Sequence, residues 1–218
     1  MISESIYKVP DNRKKKSQKQ DALPLMEHYY TIQGEGYNSG IACYFLRLGG
    51  CDVGCVWCDV KESWDAARHP LVSVDEIVKL VAKAKAERVV ITGGEPLMYD
   101  LALLTGKLHE ADIQTFLETS GAYPLTGSWD WICVSPKKFK KPLDEMLLKA
   151  DELKVIVFNK SDFSWAEKHR EKVKASCKLF LQPEYGEFDN VIPRIIDYVK
   201  QNPSWRISLQ THKVMHIE

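Results

Sequence analysis

Three cysteines fall within eight residues in "GGCDVGCVWCDV": Cys51, Cys55 and Cys58, spaced C-x3-C-x2-C. In a reducing compartment, clustered thiols point to metal binding or catalysis. A closed zinc site takes four ligands, commonly two C-x2-C pairs or Cys combined with His. Three cysteines leave such a site one ligand short, and His212 and His216, with finger-like spacing, are the candidates to complete it. Thiolates also hold iron–sulfur clusters, normally four to a cluster. Three would leave one iron open to a non-protein ligand, so the missing fourth cysteine is what would permit chemistry. Cys43, Cys133 and Cys177 lie singly in apolar runs and read as small buried hydrophobes.

Other residues able to do chemistry lie in short segments. "TGGEP" (Thr92–Pro96) joins two glycines, which let backbone approach a ligand closely, to a carboxylate, Glu95, that can receive an ammonium group. "TIQGEG" (Thr31–Gly36) contains Gln33, which offers both a donor and an acceptor. Arg47 sits inside an apolar run, a setting unlike that of a solvated surface arginine. "ETSG", "SPK", "LQPE" and "LQTHK" follow in order. Trp57, between two of the cysteines, reads as a packing residue, and Lys61 and Glu62 as either a solvated pair or residues reaching the site.

These segments need elements to position them. "ACYFLRLGG", "RVVITGGEP", "IQTFLETSG", "WICVSPK", "LKVIVF", "CKLFLQPE" and "WRISLQTH" read as strands. "SVDEIVKLVAKAKAE" reads as a helix, with Ser73 and Glu76 in capping-box spacing and Val74, Ile77, Val78 and Val81 at helical period. "LALLTGKLHEA", "DFSWAEKHREKVKA" and "VIPRIIDYVKQN" read as further helices. The alternation predicts an α/β fold with a largely parallel sheet. In such folds ligands bind beyond the carboxyl ends of strands, where the cysteine loop, "TGGEP", "ETSG", "SPK" and "QPE" all fall.

The chain has 218 residues, 44% of them hydrophobic, enough for one domain with a substantial core. Residues 1–24, including "DNRKKKSQKQD", read as a polar, flexible extension, and 25–218 as the single folded domain. Thirty basic residues balance thirty acidic ones, which argues against a nucleic-acid binder. No apolar run reaches the roughly 18 residues of a membrane span, and the N-terminus lacks the apolar stretch of an export signal. A cytoplasmic location is expected.

C-x3-C-x2-C after one strand, with a GGE turn after the next, resembles the radical S-adenosylmethionine superfamily. The resemblance implies a [4Fe-4S] cluster on Cys51, Cys55 and Cys58. Its open iron would chelate the amino and carboxylate groups of S-adenosylmethionine, whose one-electron cleavage gives a 5′-deoxyadenosyl radical. "TIQGEG", "YFLRLGGC", "ETSG", "SPK", "LQPE" and "LQTHK", spanning Tyr29 to Glu218, resemble the 7-carboxy-7-deazaguanine synthases. That family implies an abbreviated (β/α) barrel, a homodimer, and a reducing partner such as flavodoxin or ferredoxin. It also implies ring contraction of 6-carboxy-5,6,7,8-tetrahydropterin to 7-carboxy-7-deazaguanine with loss of ammonia, the radical taking hydrogen from C6.

By the same resemblance, Ile32, Gln33, Gly34, Arg47, Thr92 and the terminal carboxylate of Glu218 meet the pterin. Gly94, Glu95, Ser120, Ser135, Pro136, Lys137, Gln182, Pro183 and Glu184 meet S-adenosylmethionine. No protein side chain is expected to be catalytic in its own right, the radical being carried by the cofactor. The family commonly has threonine after C-D, its hydroxyl contributing to a Mg2+ site; here Val60 stands there and offers a hard cation no oxygen. Two other readings compete: a glycyl-radical-enzyme activase, which shares the cysteine spacing but would need a large protein substrate, and a zinc-binding interaction module.

Overall fold

The structure is a computed structural model that describes residues 21–217. Nine strands form one open sheet in the order β3-β1-β2-β4-β5-β6-β7-β8-β9. They are β1 (Ala22–Ile32), β2 (Ala42–Leu48), β3 (Leu71–Ser73), β4 (Arg88–Gly93), β5 (Gln114–Thr119), β6 (Trp131–Val134), β7 (Glu152–Val157), β8 (Lys178–Pro183) and β9 (Trp205–Ile207). β1 runs antiparallel to β2 and β3. From β2 onward every neighbouring pair is parallel, as in an abbreviated, unclosed (β/α) barrel.

The helices are α1 (Val74–Lys83), α2 (Ala102–Glu110), α3 (Asp144–Lys149), α4 (Ser161–Arg170), α5 (Phe188–Gln201) and α6 (Thr211–Met215). Ser73 caps α1, its hydroxyl accepting the Glu76 N–H at 3.2 Å. Val74, Ile77 and Val81 then fall on the buried face, as the period predicts. These side chains, with Leu104 and Leu108 of α2 and Val191 and Ile195 of α5, pack on Leu46, Leu48, Ile91, Leu117 and Val155 from the sheet.

The period-2 alternation of strands sends the other set of side chains to the opposite face. There Cys43, Val90 and Phe116 form a small apolar floor, with Ile41, Phe45 and Trp131 against it. Above that floor, toward the carboxyl ends, the same face carries Arg47, Thr92, Glu118 and Lys154. The sheet is thus apolar where it meets helices and graded from apolar to charged where it does not. Cys43, Cys133 and Cys177 are buried free thiols, as expected.

Three sequence expectations are corrected. The folded domain does not start at residue 25: Ala22, Leu23 and Pro24 pair with Ser73, Val72 and Leu71, and Leu23 is wholly buried. The apolar Leu23 and Leu25 anchor this strand in the core, which outweighs the polar residues before it. Second, "LQTH" is not strand, since β9 ends at Ile207 and Thr211 begins a helix. The chain leaves the sheet there because the Thr211 N–H and hydroxyl both donate to the Gly34 carbonyl, each at 2.9 Å. Third, α4 stops at Arg170, short of the run read as helical. Among the described residues no helix is long and apolar enough to cross a membrane.

Candidate active site

The carboxyl ends of β2, β4, β5, β6, β7 and β8 surround a cavity of about 320 Å³, a size suited to a small-molecule site. All three clustered cysteines line it. So do Ile32, Gln33, Gly34, Arg47, Thr92, Gly94, Ser120, Ser135, Lys137, Gln182, Pro183 and Glu184. Pro136 and Glu95 are buried behind the wall, and Glu218 lies outside the described residues.

One wall is the cysteine loop, which is knitted to "TGGEP" backbone to backbone. Gly94 N–H donates to Leu48 O and Glu95 N–H to Gly50 O, each at 2.9 Å. A Cβ on Gly94 would lie 2.3 Å from Gly50 O and 2.7 Å from Cys51 Cβ. Glycine is therefore required here so that the turn can pack under the cysteine loop itself.

Glu95 departs from the sequence reading. Its Oε1 accepts from the Thr119 hydroxyl at 2.6 Å and the Leu97 N–H at 3.1 Å, and its Oε2 from the Ser120 N–H at 2.8 Å and the Ser120 hydroxyl. Four donors occupy the roughly four lone-pair sites of a carboxylate. As placed, Glu95 fastens the end of β5 to the turn after β4 and presents no free oxygen to the cavity.

The three thiols line one wall of the cavity together, the donor set of a cubane, which takes its thiolates on separate irons. Burial, with a smaller contribution from neighbouring cysteine thiolates, raises the thiol of Cys51 and brings that of Cys55 up to about 11. Joint ionisation therefore needs a cationic group against them, which iron supplies. Lys137, held to the Ser135 hydroxyl at 2.6 Å, lies 5.5 Å above the Trp57 ring and lowers Cys55 in part. Val60 lines the cavity beside Asp59, which is 4.0 Å from the Lys213 ammonium.

The opposite wall is charged and was the less legible part. Lys154 of β7, 4% exposed, donates to Glu35 at 2.7 Å and to Glu118 at 3.0 Å. Gln33 Nε2 reaches Glu118 at 3.4 Å, Gln33 Oε1 accepts the Glu35 N–H at 3.1 Å, and Gln210 donates to Glu35 at 2.8 Å. Burial raises the Glu35 carboxyl, but Lys154 and the amide donors outweigh it and hold the group at about 2. Lys154 is pulled down by burial and lifted well above its ordinary value by Glu118 and Glu35.

Sequence reasoning assigned no role to Lys154, Glu35 or Glu118. The available signal was Lys154 itself, a lysine inside the apolar run "LKVIV", which requires paired carboxylates to be buried. Beneath it, Glu152 accepts the Tyr37 N–H at 3.1 Å and the Trp131 indole N–H at 3.2 Å. Its Oε1 has no hydrogen-bond partner, and burial pushes the group up to about 7. Gly36, at φ +66°, passes so close that a Cβ there would lie 2.0 Å from that oxygen.

Arg47 donates from Nε to Glu27 at 2.5 Å and faces the Tyr29 hydroxyl at 3.5 Å. Gln182 accepts from Ser208 at 2.6 Å, and Ser208 in turn accepts the Gly36 N–H at 2.9 Å. This chain ties β8 to the "TIQGEG" loop. His212 of α6 lies against Gly34 and lines the cavity, so the end of the chain closes this wall.

Comparison with known proteins agrees with this geometry. The family model for the Radical SAM superfamily matches residues 46–158, and the chain is a member of that superfamily. It is 55% identical to the 7-carboxy-7-deazaguanine synthase of Flavobacterium psychrophilum, covering 92% of this chain and 95% of that one. It is 46% identical to the enzyme of that name from Synechocystis, over 90% and 94% of the two chains. The crystal structure of QueE from Escherichia coli superposes with a TM-score of 0.78 at 28% identity, covering 86% of this chain and 93% of that one. The chain belongs to the 7-carboxy-7-deazaguanine synthase family.

Two outcomes follow from the geometry. Gly94→Ala should cut iron and sulfide bound after anaerobic reconstitution to roughly half or less, because a close-packed backbone contact must open; far-ultraviolet circular dichroism should change little. Glu35 has a depressed carboxyl, so its stabilising contribution is present above its ordinary value of 4.5 and is lost as pH falls toward about 2. At about 1.4 kcal/mol per unit this amounts to about 3 kcal/mol. In urea titrations between pH 5 and 3, Glu35→Gln should lose less stability than the parent.

Proposed function

We propose that the chain converts 6-carboxy-5,6,7,8-tetrahydropterin to 7-carboxy-7-deazaguanine with loss of ammonia, in the biosynthesis of queuosine and other 7-deazapurines. The observation that carries this reading is a single cavity with three thiols on one wall and a buried lysine–carboxylate array on the other. Cys51, Cys55 and Cys58 would hold a [4Fe-4S] cluster, which with S-adenosylmethionine would supply one-electron reductive chemistry at the sulfonium.

The chain's own residues position and shield the reactants. Gln33, Glu118, Glu35 and Lys154 present alternating donors and acceptors to the pterin edge, pre-set by their mutual bonds. Arg47, its plane fixed by Glu27, offers its terminal nitrogens to the substrate carboxylate, and Thr92 stands opposite it on β4. Ile32 and Gly34 complete that side. Gly94, Ser120, Ser135, Lys137, Gln182, Pro183 and Glu184 line the S-adenosylmethionine side. Glu95 holds Ser120 in place from behind, and Pro136 fixes the backbone between Ser135 and Lys137. Glu218, which lies outside the described residues, is assigned to the pterin on the family resemblance alone. A homodimer and a separate reducing protein belong to the same reading.

Anaerobic incubation with S-adenosylmethionine, reductant and the pterin should give 7-carboxy-7-deazaguanine by mass spectrometry. Cys55→Ala should give none, and retained turnover in that variant would remove the radical mechanism. Mg2+ is held, on this reading, through substrate and water, since Val60 lacks the oxygen. Turnover of the parent should therefore respond weakly to added Mg2+, and that of Val60→Thr more strongly. Strong Mg2+ stimulation of the parent would show that other ligands serve.

A further inference from the structure

A third carboxyl, Glu152, lies beneath the pair that holds Lys154. It opens β7 and is 2% exposed. Its Oε2 accepts the Tyr37 N–H at 3.1 Å and the Trp131 indole N–H at 3.2 Å. The Tyr37 and Trp131 rings stack at 5.0 Å with 17° between their planes. One oxygen therefore holds both the backbone of Tyr37 and the ring on which Tyr37 lies. The Gly36 N–H is fixed separately by the Ser208 hydroxyl at 2.9 Å. Gly36 and Tyr37 directly follow Glu35, so their seat sets where Glu35 meets Lys154.

The other oxygen, Oε1, is buried with no hydrogen-bond partner. What lies against it is the Gly36 backbone, at φ +66°, where a Cβ would come within 2.0 Å. A buried carboxylate needs donors on both oxygens, and one without them carries a large desolvation cost. The neighbouring charges do not relieve it. Lys154, on the same strand, is already bonded to Glu35 of the loop and Glu118 of β5. Cys133 of β6 and Cys177 before β8 bring thiols, not cations, and Lys178 of β8 lies over the Tyr37 ring, 5.7 Å from its centroid. Burial above all, with Glu118, pushes Glu152 up to about 7 against Lys154 and the two N–H donors.

We propose that Glu152 is a positioning residue for the substrate wall: its carboxyl seats Gly36 and Tyr37, and its uncharged form leaves Lys154 to Glu35 and Glu118. Loss of its proton to solvent puts a third carboxylate beside one ammonium. The new charge has two outlets. It draws Lys154 away from Glu35, or it drives Oε1 off the Gly36 backbone. Either one moves the Gln33–Glu35 edge that lines the cavity. Neither acts on Gly94, Ser120 or Glu184, which stand on the S-adenosylmethionine side. The same contact accounts for glycine at position 36, since any side chain there would displace the acid. This inference rests on the pterin reading of the cavity.

The test is the pterin affinity of reconstituted holoenzyme with S-adenosylmethionine and no reductant, so that nothing turns over, between about pH 6 and pH 8.5. The parent's dissociation constant should rise about tenfold or more across this range as Glu152 loses its proton. Glu152→Gln keeps the neutral shape and should hold its low-pH affinity throughout. Trp131→Phe keeps a stacked ring but removes a donor to the carboxylate, so its loss of affinity should begin at higher pH. S-adenosylmethionine affinity should be the same in all three. Hydrogen exchange of the ligand-free protein, corrected for intrinsic rate, should show residues 33–40 loosening toward high pH in the parent and not in Glu152→Gln. The same pH dependence in parent and Glu152→Gln overturns the assignment, as does an unshifted limb in Trp131→Phe. Should Glu152→Gln fail to fold, the Trp131→Phe shift decides alone. A parent that binds no pterin at any pH strikes the pterin reading instead, and the exchange pattern then decides for Glu152.

Discussion

A lysine ammonium buried inside an open barrel sets the terms for everything around it. Lys154 cannot be desolvated alone, because an unpaired buried charge costs several kcal/mol. Its two carboxylate partners come from the loop after β1 and from β5, so satisfying one side chain fixes the relation of three elements. Gln33 and Gln210 then take up oxygens of those carboxylates, and through them the loop and the segment before α6 are drawn in as well. The polar wall is accordingly a single network, and its shape does not wait for a ligand.

The thiol wall is built by a different principle. It contains little charge and depends on backbone contact, made possible where Gly94 passes under Cys51 without a side chain. Glu95 extends this contact to Thr119, the last residue of β5, and to Ser120 just after it. β5 also supplies Glu118 to the other wall, so one strand carries both arrangements on adjacent residues. The two walls are thereby joined at one strand terminus.

Much of this was legible in the sequence where chemistry coincides with local pattern. The cysteine spacing, the glycine turn and the strand-ending segments each announce themselves within a few residues, and the structure gathers nearly all of them at one cavity. Lys154 was harder because its meaning depends on partners 119 and 36 residues away. Glu95 was misread for a related cause: a carboxylate in a glycine turn suggests a ligand contact, and nothing nearby in sequence reveals that Thr119 and Ser120 occupy it. The residues after β9 have strand-like composition, and only the bond to Gly34 turns them into a helix. Leu23 was hidden by the polar residues before it, although its burial was implied by its alternation with Leu25.

The two walls also differ in how far along the chain their members lie. Cys51, Cys55 and Cys58 remain neighbours in any conformation, folded or not, because only six residues lie between the first and the last. Glu35 and Lys154 are 119 residues apart, and Glu35 and Gln210 are 175 apart, so their meeting requires the whole sheet. Bringing distant segments together carries a loop-closure cost that adjacent ones escape. The thiols therefore share one short stretch of chain, while the substrate wall exists only where segments from both ends of the fold have met. The first is a local property of the sequence, the second a property of the finished topology.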